Sequence, residues 1–492
     1  MSPVDMKAQY VAEPLGGELA VKIGKPAAEW TEDDIVGLVA QGGIRVVSLM
    51  HVDGEGELRA LDFLPRSEAH LREILRAGER ADGSSLFPGA GLPPDASDIV
   101  LRPRLASAFI DPFSEIPTLV LLAGHQSRDG APLPQSPDTI VRRAAAHFRA
   151  TTGAELLAHA EVEFFLGKPA EEADVYGSSD RGYHATSPFV FGEDIRRQAM
   201  VLLGDLGVAV KYGHAEVGYI GAEEGGGYIW EQHEIELALA PLPVAAEAVV
   251  LTQWVLRNLA HASGVQCSFR PVLRAGHAGS GMHFHFAALS DDGFATMDGP
   301  AAELARSLVG GLVRSGGALM AFGNRSRESF LRLQQGKEVP ASITWGHFNR
   351  KALVRIPVLA RTADGEPVAP PTVEFRLPDG SVNPFLLLAG AAQAVAHASG
   401  DASIEETLRD SRAGTPNGAL SSAKAQSVSS TAEASAGAEA KDANVTARSL
   451  PLSFDAIADA LELERSALGA DDVFPAELLD ATLSQLRSGG AN

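Results

Sequence analysis

Polar residues recur at every second position in four short, otherwise apolar stretches of the chain. In Leu157-Ala-His-Ala-Glu161-Val-Glu163-Phe-Phe-Leu, alternation sets Glu161 and Glu163 on one face of an extended strand and Val162 and Phe164 on the other. Gly281-Met-His283-Phe-His285-Phe does the same with two imidazoles. Val373-Glu374-Phe-Arg376-Leu does it with an acid and an arginine, and Gln232-His-Glu234-Ile-Glu236-Leu with two acids. Between these stretches the period changes. Val244–Ala262, Ala302–Ala321 and Asn383–Ala398 are apolar enough and long enough to be helices packed on a sheet. Ser136-Pro137-Asp138 opens another helix, with serine as N-cap, proline in the first turn and Ile140, Val141, Ala144 and Phe148 as its apolar stripe.

The N-terminal part carries its own pattern. Ile44 to Leu61 predicts a hairpin turning at Asp53-Gly-Glu-Gly56. A Pro/Gly-rich loop runs from Ala81 to Pro94, and Ile116–Leu122 is a buried strand. Strands and helices in this order predict an α+β protein with helices gathered on one side of a sheet. From about Arg409 to Arg448 the chain is Ala, Ser, Gly and Thr with almost no large apolar side chain, which predicts a flexible insertion. A helical tail, Phe454–Arg487, follows.

Composition narrows the function. The 492 residues are 45% hydrophobic and 21% charged, with a formal net charge of −22, which argues against a nucleic-acid partner. Cys267 is the only cysteine, so no intrachain disulfide and no CxxC metal site can form. The first twenty residues lack a basic-then-apolar signal, and Val244–Leu259 is interrupted by Glu247, Gln253 and Arg257, so a cytoplasmic protein with no membrane span is expected. Charged faces on otherwise buried strands are costly unless they meet ions or one another. Carboxylates and imidazoles without thiolates suit Mg2+ or Mn2+. There is no GxxxxGK[ST], so any nucleotide binds without a P-loop. A Glu-x-Glu or His-x-His strand standing alone is more often a solvated edge than a site. Four such strands, near several arginines between Arg325 and Arg376, favour the site.

The ordered set of motifs resembles the glutamine synthetase family from about Trp30 to Ala398. The set comprises Asp82-Gly-Ser-Ser85, Asp111-Pro-Phe with Pro117-Thr-Leu, Glu161-Val-Glu163, Arg181-Gly-Tyr183, Glu216-Val, Gln232-His-Glu234, Gly279-Ser-Gly-Met-His283-Phe-His285, Asn349-Arg350 through Arg355-Ile-Pro, and Glu374-Phe-Arg376-Leu-Pro-Asp. The resemblance implies a β-grasp-like N-terminal domain, residues 25–125, and a catalytic domain, residues 135–492, with a curved antiparallel sheet and packed helices. It implies a homo-oligomeric, dodecamer-like ring with active sites shared between subunits. ATP and glutamate would be substrates, and Mg2+ or Mn2+ the metal.

Carried over by position, Glu163, Glu216 and Glu234 would hold one metal and Glu161, His283 and Glu374 the second. Arg332 and the Gly279 loop would grip glutamate, with Arg376 near the reacting carboxylate. His285, Arg350 and Arg355 would face ATP. Asp82, lent by a neighbouring subunit, would help deprotonate the amine at a site lined by Tyr183 and Ser85. Glu338 stands where the family has a closing flap.

This sequence departs from the family pattern in three places. Ala278 stands where asparagine is usual, Thr372 replaces an arginine, and the interval from Glu216 to Glu234 is stretched through Gly221–Trp230. Asp82 and Tyr183 fit ammonia as the acceptor, whereas the altered loops fit a larger amine. The implied activity is a ligase joining glutamate to an organic amine through a γ-glutamyl phosphate, with glutamine synthetase as the alternative. A non-catalytic ring scaffold is disfavoured, because it would have no need of the metal ligands and Glu338.

Overall fold

The computed structural model describes residues 17–92, 97–171, 179–335, 338–365, 367–413 and 448–489. Six strands near the N-terminus form one mixed sheet. They are β1 (Val46–Val52), β2 (Leu58–Phe63), β3 (Glu79–Asp82), β4 (Asp98–Pro103), β5 (Phe109–Ile110) and β6 (Thr118–Gln126), in the order β2-β1-β6-β4-β3 with β5 beside β6. The expected hairpin is β1–β2, paired Val47 to Phe63 through Val52 to Leu58. The apolar runs of β1 and β6 are buried on both faces, which is why neither alternates cleanly. Val47, Leu49, Leu119 and Leu121 pack on helices α1 (Glu32–Gln41) and α2 (Glu68–Ala77). Met50, Val52, Val120 and Leu122 join the core of the rest of the chain.

The stretch from Ala81 differs from the loop expected. Asp82 ends β3 and caps a single helical turn, Gly83–Leu86, by accepting the Ser84 backbone N–H at 2.9 Å. A short polar side chain at an N-terminus gives that turn the partner its free N–H groups need.

The second sheet has ten strands: β7 (Glu155–Pro169), β8 (Val210–Ile220), β9 (Tyr228–Leu237), β10 (Ala240–Pro241), β11 (Gln266–Ser268), β12 (Met282–Ser290), β13 (Gly293–Phe294), β14 (Ser342–His347), β15 (Ala352–Ile356) and β16 (Val373–Phe375). Their main order is β14-β15-β16-β12-β7-β9-β8. The sheet is antiparallel except for β14 and β15, which run parallel. Alternation separates its faces. Ala158, Ala160, Val162, Phe164, Met282, Phe284, Phe286 and Ile235 enter the core under helices α3 (Pro137–Thr152), α4 (Leu242–Ala262), α5 (Ala302–Gly323) and α6 (Pro384–Ala398). The odd positions of β7 and β12 and the even positions of β9 face the other way.

Helix α3 begins where expected, but Ser136 does not cap it. Its hydroxyl is 2.8 Å from His125 Nδ1, and His125 Nε2 is 3.0 Å from His51 Nδ1, so the serine ties the helix start to the N-terminal sheet instead. The expected helical tail is made of the α-helices Phe454–Leu463, Arg465–Leu468 and Ala476–Arg487, with a 3-10 turn at Ala470–Asp472. The Gly221–Trp230 stretch extends the β8–β9 hairpin and closes it with a turn between Ile220 and Tyr228. Of the Ala/Ser/Gly-rich stretch expected at 409–448, residues 414–447 lie outside the described residues, as do Gly336 and Lys337 of the expected flap. No helix among the described residues is long and apolar enough to cross a membrane.

Candidate active site

Strand register builds the site. Glu161 on β7 lies opposite Glu236 on β9 and His283 on β12. His285 lies opposite His159 and Glu374, and Glu374 lies opposite Arg355. Glu163 faces Glu234, which faces His214 on β8. Directly opposed residues in a sheet stand roughly 5 Å apart, so these pairings lay rows of charged groups across one concave face. That face opens onto a cavity of about 950 Å3. Every expected site residue except Asp82 and Ser85 lines it.

At one end, Glu161 is the hub. His283 Nδ1 donates to its Oε2 at 2.8 Å and His285 Nε2 to its Oε1 at 3.0 Å. Burial alone would raise the Glu161 carboxyl, but His285 and His283 outweigh it and hold the group well below the usual range. Burial and the neighbouring Arg376 lower His283 to about 4, whereas Glu161 overcomes burial at His285 and raises it. Glu374, fully buried, is clamped by Arg376 on one oxygen and by Arg355 Nη1 at 2.7 Å on the other. Burial raises this carboxyl too, and Arg376 wins, so it stays ionised. Thr372 offers its hydroxyl to His285 Nδ1 at 3.0 Å and fixes that ring, so the position that loses an arginine gains a different task.

The other end has less counter-charge: Arg332 opposes the shift at Glu163 without overcoming it, and His214 Nε2 lies 3.3 Å from Glu234 Oε1. Glu216 Oε2 accepts the backbone N–H of its own neighbour, Val217, at 2.6 Å. Glu163 Oε2 accepts from Gln232 Nε2 at 2.8 Å and Gly281 N at 2.9 Å. Burial, reinforced by Glu216, pushes the Glu163 carboxyl up to about 8. Burial, together with Glu161, Glu163 and Glu216, drives Glu234 well above the usual range. Carboxyls packed this closely, with so few cations near them, form a donor set suited to a hard divalent ion.

Among the described residues, oxygen and nitrogen ligand atoms come within 4.8 Å of one another in three groups: Glu161 with His283 and Glu374, His214 with Glu216 and Glu234, and Glu161 with Glu236 and His285. The first is the expected second-metal set. In the other expected set the structure puts His214 where Glu163 was looked for, leaving Glu163 beside it. His214 and Glu236 were not expected. The signal for His214 was its place two residues before Glu216, on the same face of β8. Glu236 was visible as the last acid of the Gln232–Leu237 strand.

Arg376, 2% exposed, ties the site's loops together: Nε donates to Arg350 O at 3.1 Å and Nη2 to Glu338 O at 2.8 Å. Glu338 sits at a left-handed φ of 51° with its side chain out in solvent, 3.2 Å from Arg350 Nη1. Arg332 gives Nη1 to Leu377 O at 2.8 Å and Nη2 to Arg376 O at 3.4 Å, so it braces the cleft wall as well as lining it. Tyr183 stands at the rim, half exposed, stacked on His184 at 4.2 Å and edge-on to His214 at 5.3 Å. Asp82, at the end of β3, and Ser85, in the helical turn that follows, belong to the N-terminal part of the chain, and Ser85 Oγ donates to Asp82 Oδ2 at 2.5 Å. The serine hydroxyls of Ser85, Ser84 and Ser97 hold the Asp82 carboxyl far below the usual range.

A pH dependence follows from the under-neutralised end. A carboxyl whose folded-state pKa is raised stabilises the fold at low pH and loses that contribution as pH climbs through the raised value. For Glu163 the window runs from its ordinary 4.5 to about 8. The metal-free protein is therefore expected to lose several degrees of melting temperature between about pH 5 and pH 8. Excess Mn2+ should flatten that slope, because the ion selects the ionised carboxylates. Thermal denaturation in chelator and in Mn2+ checks this, and parallel slopes would count against a cation at Glu163, Glu216 and Glu234.

A model of the glutamine synthetase catalytic domain matches residues 134–431. The chain is 29% identical over 390 residues to 3-hydroxylaminophenol mutase of Cupriavidus pinatubonensis, covering 72% of this chain and 78% of that one. It is 31% identical over 366 residues to a glutamine synthetase of Mycolicibacterium smegmatis, covering 70% and 75%. Glutamine synthetase of Plasmodium falciparum, solved by electron cryomicroscopy, shares the fold with a TM-score of 0.72 at 18% identity, covering 93% of this chain and 95% of that one. A charged, curved sheet of this kind, on a chain with these relatives, defines a carbon–nitrogen ligase. The chain belongs to the glutamine synthetase family.

Proposed function

We propose that the cleft joins the γ-carboxylate of L-glutamate to an organic amine at the expense of ATP. The observation that carries this reading is the pair of clusters described above, one under-neutralised and one already clamped by arginines, on a single sheet face. A carboxylate is too electron-rich for an amine to attack. A γ-carboxylate oxygen bonds to the γ-phosphorus of ATP, ADP leaves, and the acyl carbon of the resulting γ-glutamyl phosphate becomes electrophilic. The amine lone pair then attacks that carbon, phosphate leaves, and a carboxylate takes the surplus proton.

Glu163, Glu216 and Glu234, with His214, would hold one Mg2+ or Mn2+, and Glu161, His283 and Glu374 the second. When bound, such ions neutralise charge on the phosphate and carboxylate oxygens. Arg350, Arg355 and His285 would face the phosphates, and Met297, Ile356 and Val358 give that end an apolar wall suited to a base. Gly279 and Arg332 line the part of the cleft assigned to glutamate, and Arg376 holds the loops around the reacting carboxylate. Glu338, on the exposed loop that Arg376 pins, is positioned to close over the intermediate and exclude water. Asp82 and Ser85 are outside the cleft of their own chain, which supports a ring whose neighbouring subunit lends them to the amine end. With its carboxyl held low, Asp82 acts there as an anionic anchor for an ammonium group more readily than as its proton acceptor.

The acceptor is read from a second hollow. Strand β8 bulges between Ala215 and Tyr219, where four residues span what β9 covers in two. Beneath the bulge lies a cavity of about 260 Å3 lined by Ala185, Phe189, Val190, Ala215 and Tyr219, with the polar Arg181, Glu216, Glu231 and Gln232 also on its wall. Ammonia has no use for such a space, whereas the substituent of a primary amine does. Glutamine synthetase is the second reading, favoured by Tyr183 at the rim. Glutamate carrying 18O in its γ-carboxylate tests the common chemistry. With ATP, Mg2+ and an amine, one labelled oxygen is expected in each phosphate released, and unlabelled phosphate would rule out the acyl phosphate route.

A further inference from the structure

Three loops distant in the chain meet at His277. The ring is 6% exposed, and its Nε2 lies 3.0 Å from Glu224 Oε2 in the turn that closes the extended β8–β9 hairpin. Its Nδ1 lies 3.6 Å from Asp180 Oδ1 and has no hydrogen-bond partner among the described residues. Asp180 Oδ1 also accepts the Ala278 backbone N–H at 3.4 Å. The turn that reaches His277 reads Gly221-Ala-Glu-Glu-Gly-Gly-Gly227, without a large apolar side chain to seat it, so the polar contact of Glu224 with His277 rather than apolar burial holds it there.

His277 itself is one residue from the cleft. Ala278, Gly279 and Gly281 all line the main cavity. A side chain at Gly279 would come within 2.6 Å of Pro271 O and 3.1 Å of Arg332 Cγ, so this backbone has no slack toward the arginine. Gly279 O accepts Gln232 Nε2 at 3.1 Å, and Gly281 N donates to Glu163. A shift at His277 would therefore pass to the Gly279 carbonyl and the Gly281 N–H, whose partners Gln232 and Glu163 line the cleft.

We propose that the hairpin extension is a strap on this loop, in which Glu224, acting through His277 and Asp180, fixes residues 278–281 and so sets the affinity for the acid substrate. Glu224 is a positioning residue, since it touches neither substrate nor the reacting atoms. The proposal rests on glutamate lying against the Gly279 loop, as in the functional reading above. It also accounts for the alanine at 278: the loop is held from behind by His277 instead of by a side-chain amide of its own.

Glu224→Ala and Glu224→Gln in the full-length protein test it. Glu224 is 59% exposed at its side chain, so neither variant is expected to unfold the protein. In Glu224→Ala the KM for glutamate is expected to rise about fivefold, with the KM for ATP and kcat little changed. Glu224→Gln, whose amide oxygen can still accept from Nε2, should recover most of the loss. Amide hydrogen exchange at Ala278 and Gly281 supplies a readout independent of activity: several times faster in Glu224→Ala, near wild type in Glu224→Gln. Unchanged exchange in Glu224→Ala overturns the strap whatever the kinetics show. Faster exchange with an unchanged glutamate KM overturns its role in affinity. If the wild type fails to turn over glutamate with any acceptor, the functional reading falls, and the exchange measurement still decides the strap.

Discussion

Glu161→Ala is expected to lower amide synthesis by at least about a thousandfold while leaving the protein folded. Among the described residues no other carboxylate belongs to two of the three ligand groups, and none receives two imidazoles. Removing it leaves His283 and His285 buried without the charge that orients them, and takes an oxygen from the cluster it shares with Glu374. The neighbouring positive groups, Arg355 and Arg376, would then neutralise Glu374 alone and leave little affinity for a cation there. Glu161→Gln separates shape from charge. It keeps the size and one acceptor oxygen but not the negative charge, and should be nearly as inactive. Initial rates of phosphate release, with far-ultraviolet circular dichroism to confirm folding, check the pair. Activity within about tenfold of wild type in the glutamine variant would mean that Glu161 organises the histidines without holding a metal.

Much of this cleft was legible in the sequence because strand alternation is a strict code. A period of two in Glu161-Val-Glu163 and His283-Phe-His285 put those side chains on one face, and the structure pairs Glu161 with His283 and Glu163 with Glu234 across neighbouring strands. What alternation could not give was the register between strands distant in the chain. That register brings Glu236 opposite Glu161 and His214 opposite Glu234, and so adds two groups to the site. The bulge in β8 was invisible for the same reason, since it exists only relative to β9.

Local signals were less dependable where tertiary partners competed. Ser136 stands at a helix start and was read as its cap, yet a buried histidine from the N-terminal sheet takes its hydroxyl. The Ala81–Pro94 loop contains a strand end and a helical turn, because Asp82 finds three serine hydroxyls within reach. The Gly221–Trp230 stretch could be read as a reshaped entrance or an idle hairpin. It is a hairpin in backbone, and Glu224 at its turn contacts the loop that lines the cleft.

The acceptor is the central claim and the one most open to direct measurement. One additional methylene in an apolar pocket changes selectivity by roughly 10- to 200-fold, so the apolar part of the hollow beneath the β8 bulge should favour a substituted amine over ammonia. The measurement is kcat/KM for phosphate release with glutamate, ATP and Mg2+, taken over ammonium, methylamine, ethanolamine, putrescine and aniline, with the γ-glutamyl product identified by mass spectrometry. At least one organic amine is expected to exceed ammonium by about tenfold or more. Ammonium as the best acceptor in the panel would contradict the account and make the protein a glutamine synthetase.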